Sequence, residues 1–161
     1  MDNPTVFISY SHDDKQHEEW VLKLASALRS HGVNAILDQW DLRLGSDLRF
    51  FMEKGLSAPN LVLCVCSDMY VQKVNSGEGG AGYEGMIISQ PLLSNANSEF
   101  VIPIVRNNPS QQKIPMTFGT KYYIDFSDDT RYVEKYWGLL ERIYGEDTKK
   151  KPPLGENPFS E

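Results

Sequence analysis

Cysteine and histidine are scarce in this chain, positive charge is outnumbered, and no apolar run is long. Each scarcity closes off a class of function. The 161 residues include two cysteines, Cys64 and Cys66, both inside the apolar run 61–66. An i,i+2 pair on one strand points to the same side and is poorly placed for a disulfide, so reduced core thiols are expected. The three histidines, His12, His17 and His31, are scattered. They lack the close ligand spacing of a zinc site, so neither a metal nor a prosthetic group is expected. Lys plus Arg number 16 against 22 Asp plus Glu, a net charge of -6. A duplex nucleic acid surface needs a basic patch, so nucleic acid is not an expected partner.

No stretch approaches the roughly 18 uninterrupted apolar residues of a membrane span. Met1 leads into a polar turn and a strand, without the pattern of a signal peptide. No membrane association is expected, and the expected compartment is the cytoplasm. Also missing are a Gly-x-Ser-x-Gly elbow, a Walker Gly-x-x-x-x-Gly-Lys loop and a Cys and His nucleophile pairing.

What remains is a regular alternation of strand and helix signals. Thr5 to Tyr10 is β-branched and aromatic, and the polar cluster Ser11 to Asp14 supplies helix-capping chemistry. From Lys15 to Ser30 the apolar residues Trp20, Val21, Leu24, Ala25 and Leu28 recur at helical spacing, with Gly32 as the stop. Val33 to Leu37 reads as a strand and Asp38 to Asp47 as a loop. Leu48 to Leu56 reads as a short helix, with further strands at Leu61 to Cys66, Phe100 to Val105 and Tyr122 to Phe126.

The last helix is expected over Asp129 to Tyr144, with Asp128 or Asp129 as cap and Gly145 as stop. Its buried stripe is read as Val133, Tyr136, Trp137, Leu140 and Tyr144. Strands alternating with helices imply right-handed crossovers, hence an α/β fold with a five-stranded parallel sheet and helices on both faces. Residues 1–145 form that domain. Residues 146–161, rich in Lys and Pro, read as a linker-like tail, which leaves open a further domain in a longer protein.

Open parallel sheets bind ligands outside the carboxyl ends of their strands. Four segments qualify: Ser9 to Asp14, Asp38 to Asp47, Ser67 to Glu84, and Arg106 onward. The third carries Gly77, Gly79, Gly80 and Gly82 ahead of Tyr83 and Glu84, where a helix is expected to run to about Gln90, before Pro91. On the residues alone, the glycines read as a loop or as backbone for a pyrophosphate. Glu84 reads as an acid favoured by a helix start. Ser11 and Asp14 read as caps, and Trp40 as a hydrophobic plug or a stacking surface.

Three strings together resemble the SEFIR and TIR superfamily: FISYSHDD at Phe7 to Asp14, DQWDLRLGSDL at Asp38 to Leu48, and GYEGMII at Gly82 to Ile88. The likeness spans roughly residues 5 to 145 and implies a flavodoxin-like fold. Such domains are either adaptors that bind their own kind or enzymes that split the nicotinamide to ribose bond of NAD+. In the enzymes a glutamate on the helix after the third strand meets the ribose, and Glu84 matches it. The resemblance further implies that Ser11, His12, Arg43, Gly45 and Ser46 contact the dinucleotide, with Trp40 gating or stacking. Gly80 departs from the pattern, since many enzymatic members carry an aromatic residue there. Tyr83 is the residue able to substitute.

The resemblance also implies homotypic assembly through the loop 38–47, with active sites completed across subunits. It thus leads to an NAD+ glycohydrolase, activated by clustering, in a defence or immune-type signalling protein. The alternative is a non-catalytic homotypic interaction domain. A phosphoacceptor receiver fits poorly, because the third strand ends in Cys64-Val65-Cys66-Ser67 instead of an aspartate.

Overall fold

The computed structural model describes residues 3–57, 61–76, 100–146 and 149–160. Its frame is a five-stranded sheet in the order β2-β1-β3-β4-β5, parallel throughout. The strands are β1 (Thr5–Ser9), β2 (Asn34–Ile36), β3 (Leu61–Cys66), β4 (Val101–Val105) and β5 (Ile124–Asp125). The helices are α1 (Lys15–Ser30), α2 (Asp38–Asp41), α3 (Leu48–Gly55), α4 (Asp68–Ser76) and α5 (Tyr132–Tyr144). This is the doubly wound α/β fold that the alternation of elements predicts.

The central strands are buried on both faces, which is why β3 reads as an unbroken apolar run, with all six residues buried. Along β1, side chains alternate between faces. Phe7 meets Phe51 of α3, with ring centroids 5.5 Å apart, and the Ser9 hydroxyl lies 2.9 Å from that of Tyr70 on α4. Helices α3 and α4 therefore share the face of Phe7 and Ser9. Helices α1 and α5 pack on each other through Trp20 and Tyr132, whose rings stand edge to face at 6.3 Å, and cover the opposite face.

Several expectations need correction. The segment 38–47 is not all loop: Asp38–Asp41 closes one helical turn, in which Leu42 N–H donates to Asp38 O at 3.0 Å. The stretch after β3 was expected to be loop as far as Glu84. Instead Asp68–Ser76 forms α4, burying Tyr70, Val71 and Val74. The fifth strand shrinks to Ile124–Asp125. β4 carries Pro103, which has no N–H for a ladder, and β5 pairs with β4 only beyond it, at Ile104 and Val105.

The last helix begins at Tyr132, after a 3₁₀ turn at Asp129–Arg131 that Asp128 caps through Thr130 N–H. Its buried stripe is Tyr136, Leu139, Leu140 and Ile143, whereas Val133 and Trp137 are 67% and 47% exposed and Tyr144 lies at the surface. The expected stop is in place, with Gly145 at φ +72°. The expected helix from Glu84 to Gln90, and the glycines 77, 79, 80 and 82 before it, lie outside the described residues. Cys64 and Cys66 are free and fully buried, and burial pushes the Cys64 thiol up to about 12 and the Cys66 thiol well above its ordinary value.

Candidate functional site at the carboxyl edge of the sheet

Beyond the carboxyl ends of the strands, three loops interlock. The turn after β1 buries Ser11, whose hydroxyl donates to Asp13 Oδ1 and lies 3.0 Å from the Ser67 hydroxyl at the end of β3. A hydroxyl has one proton to give. Ser67 therefore donates to Ser11, while its own oxygen accepts Tyr70 N–H at 3.2 Å. Asp13 Oδ2 also accepts from Asn107 Nδ2 at 3.4 Å, beyond β4. Asp14 caps α1 by accepting His17 N–H at 2.7 Å. Ser11, expected at the dinucleotide, is thus a buried, fully bonded strut between β1 and β3.

His12 is on the outer side of the same turn. Its Nε2 lies 2.9 Å from Asp38 Oδ2, and its Nδ1 lies 3.5 Å from Glu18 Oε1. The hydrogen bond to Asp38 is the main cause of a raised His12 pKa, opposed by partial burial and helped by the charges of Glu18 and Asp13. Asp38 also accepts the Tyr10 hydroxyl at 2.6 Å, and Gln39 Nε2 donates to Tyr10 Oη at 2.9 Å. Burial, then the Asp38 bond, raises the Tyr10 pKa, so this phenol stays protonated.

Arg43, Gly45 and Ser46 share one exposed turn. Ser46 N–H donates to Arg43 O at 2.9 Å, and Arg43 N–H donates to Ser46 Oγ at 3.1 Å. Gly45 sits at φ +91°, a conformation costly for any residue with a Cβ. Leu44 at the tip is fully exposed. Trp40 does not join them. It packs half-buried against the core with the Arg29 guanidinium 5.9 Å from its ring, and that guanidinium donates to Asn34 Oδ1 and Ala35 O. In this structure Trp40 is therefore a plug. Glu84 and Tyr83 lie outside the described residues.

A second polar hollow of about 260 Å³ opens between α1 and the ends of β4 and β5. Arg106 stands over it, paired to Asp129 at 2.5 Å and 4.7 Å from the Trp20 ring. His17 lines the same hollow at 4% exposure, with neither ring nitrogen hydrogen-bonded among the described residues. Burial lowers its pKa despite the nearby Asp13 and Asp14. A larger cavity of about 680 Å³ runs along β5 and α5, beside Tyr122, Tyr123, Glu134 and Arg142. Among the described residues, none of those expected to bind a dinucleotide lines it.

The structure thus brings His12 to the base of the loop that carries Arg43, Gly45 and Ser46, and the link is Asp38. Sequence reasoning missed Asp38, Tyr10 and Glu18 as partners. The pairing joins residues 28 and 26 positions apart, which no local pattern reveals.

A parallel, doubly wound sheet with its polar loops gathered at one edge is the architecture of a flavodoxin-like α/β domain. The sequence model of the TIR domain family matches residues 6–140, and the chain belongs to that family. A prokaryotic SEFIR domain of known structure superposes with a TM-score of 0.79 and 34% identity, over 96% of this chain and 100% of that one. The TIR domain of the Toll-related receptor TRR-2 from Hydra magnipapillata shares the fold, with a TM-score of 0.58 at 19% identity over 86% of this chain and 97% of that one.

Two characterised relatives match more locally. One is the 2' cyclic ADP-D-ribose synthase BtTIR of Bacteroides thetaiotaomicron, 36% identical over 67 residues, 42% of this chain and 23% of that protein. The other is the NAD(+) hydrolase TcpA of Theionarchaea archaeon (strain DG-70-1), 37% identical over 68 residues, 42% of this chain and 20% of that protein. The matched segments thus span a quarter or less of the relatives' length.

Proposed function

We propose that this domain cleaves the nicotinamide to ribose bond of NAD+ when copies of it assemble, within a defence-type signalling protein. The observation that carries the reading is the local likeness to two relatives named for NAD+ hydrolysis and for cyclic ADP-ribose synthesis. The chemistry asks little of the protein. Nicotinamide leaves with the bonding electron pair, which neutralises its pyridinium nitrogen, so no general acid is needed as it is for an ordinary glycoside. The ribosyl centre left behind is oxocarbenium-like. Addition of water with loss of a proton gives ADP-ribose, and attack by a hydroxyl of the same molecule gives a cyclic product.

The carboxylate assigned to that cationic centre is Glu84, acting as fixed electrostatic stabilisation and as a holder of the ribose hydroxyls. His12, Arg43, Gly45 and Ser46 are the groups assigned to the rest of the dinucleotide. The last three lie on the loop 38–47 and His12 stands at its base, at the edge of the sheet where ligands of such folds bind.

A second reading, homotypic assembly without catalysis, is favoured by one feature of the same loop. Leu44 at its tip is fully exposed and Phe50 on α3 is 65% exposed, which is apolar surface suited to a neighbouring copy. Assembly belongs to both readings. What separates them is nicotinamide release by the domain displayed at high density, on beads or on a multivalent scaffold, compared with the same amount dispersed. Release that grows with density supports catalysis, and assembly without release leaves the adaptor reading.

A further inference from the structure

We propose that Asp38 is the positioning residue of the loop 38–47: a buried carboxylate, held from the β1 side by the Tyr10 hydroxyl and the His12 ring, that fixes the segment carrying Arg43, Gly45 and Ser46. Asp38 is 8% exposed, a placement that an ionised group tolerates only with partners. Among the described residues it has two, at 2.6 Å and 2.9 Å, and hydrogen bonds to an ionised acceptor are the strong kind.

The loop needs such an anchor. α2 is a single turn of four residues, too short to hold itself in water, and its N-cap, Leu37, has no capping side chain and is tied by its N–H to Asp41 Oδ2 at 2.9 Å. From Arg43 to Asp47 every residue is exposed, so the loop takes its direction from its base. The base is cross-tied. The Tyr10 proton goes to Asp38, its oxygen accepts from Gln39, and the Gln39 amide also reaches Glu18 O on α1 at 3.2 Å.

His12 makes this hold dependent on protons. The charged and titratable groups that face it are Asp38 from α2, Glu18 from α1, Asp13 from its own turn, and the Tyr10 ring, 4.9 Å away between centroids. The three acids favour the imidazolium, which can donate to Asp38 and Glu18 at once, whereas the neutral ring keeps one N–H. The folded-state pKa is raised, so this contribution is complete below the ordinary value of 6.5 and fades as pH rises through the raised value.

The hold itself stands on geometry, and its consequence for NAD+ rests on the proposed function. The test measures amide exchange at Trp40, Asp41 and Leu42, whose N–H groups bond Leu37 O and Asp38 O, using the full chain. β3 amides serve as the fold control. Asp38→Asn and, separately, Tyr10→Phe are expected to speed exchange at α2 roughly tenfold while β3 keeps its protection. His12→Gln is expected to remove the loss of α2 protection that sets in as pH rises above 6.5. Unchanged α2 protection in Asp38→Asn and Tyr10→Phe overturns the proposal. In NAD+ cleavage, Asp38→Asn is expected to raise KM more than it lowers kcat. If wild type cleaves and KM does not move, the positioning role fails. If wild type does not cleave, the reading of function fails and the exchange data still decide the anchor.

Discussion

The Tyr136 hydroxyl lies 2.6 Å from Nδ1 of His31, joining the last helix to the end of the first across 105 positions of sequence. Tyr144, two turns further along α5, donates its hydroxyl to His31 O at 2.6 Å. Two phenols thus fasten α5 to the C-terminal cap of α1, on the face opposite α3 and α4. Removing either hydroxyl leaves the ring in place and takes away one bond of the fastening, while His31 Nδ1 keeps Ala27 O at 3.1 Å. Tyr136→Phe and Tyr144→Phe should each cost about 1 kcal/mol in denaturant unfolding, and unchanged midpoints in both would remove this fastening from the account.

Three glycines should respond with different signs when replaced by alanine. A Cβ on Gly55 would stand 2.1 Å from the Phe7 ring, inside the core. The helix-propensity gain of about 1 kcal/mol is then outweighed by overpacking of roughly 1–3 kcal/mol or more. Gly32 sits at φ +85°, and its Cβ would meet the Tyr144 hydroxyl at 2.7 Å. Gly32→Ala should destabilise by about 1–2 kcal/mol. Gly138 on α5 meets nothing within 4 Å among the described residues, so Gly138→Ala should stabilise by up to about 1 kcal/mol. Thermal melts of the three variants give the order directly.

His17 should make the fold acid-sensitive. Its folded-state pKa is lowered by burial, so below the ordinary value of 6.5 the unfolded chain takes up a proton that the native chain refuses. Stability should fall as pH drops through 6.5, and His17→Leu should flatten that slope. A wild-type slope that persists in the variant would assign the effect elsewhere.

Cys64 and Cys66 should label only on unfolding. Both are fully buried with raised pKa values, so the reactive thiolate is scarce as well as inaccessible. Reaction with a thiol reagent should follow the unfolding rate, and fast labelling of the native protein would contradict the burial.

Much of this frame was legible because its signals are local. The run Leu61–Cys66 and the helix Lys15–Ser30 match the structure residue for residue, since a doubly buried strand and an amphipathic helix each declare themselves by periodicity. α4 is less legible: Tyr70, Val71 and Val74 show helical spacing, but the glycines that follow carry a competing loop signal. The stripe of α5 is rotated from the expected one because a large aromatic need not be buried: Trp137 lies over His31 at the surface with 5.0 Å between ring centroids. Ser11 and His12 were picked out by resemblance, yet one is a buried strut and the other an outward partner of Asp38. Only long-range geometry assigns such different roles to neighbours in sequence.

The most direct test of the central claim compares wild type with Glu84→Gln, which keeps the shape of the side chain and removes its charge. Both proteins are clustered on the same scaffold with NAD+, and nicotinamide is followed over time. The account predicts release by wild type and a loss of roughly a hundredfold or more in the variant, the scale expected for a group stabilising charge in the transition state. Equal release by both proteins, or none by clustered wild type, would contradict it.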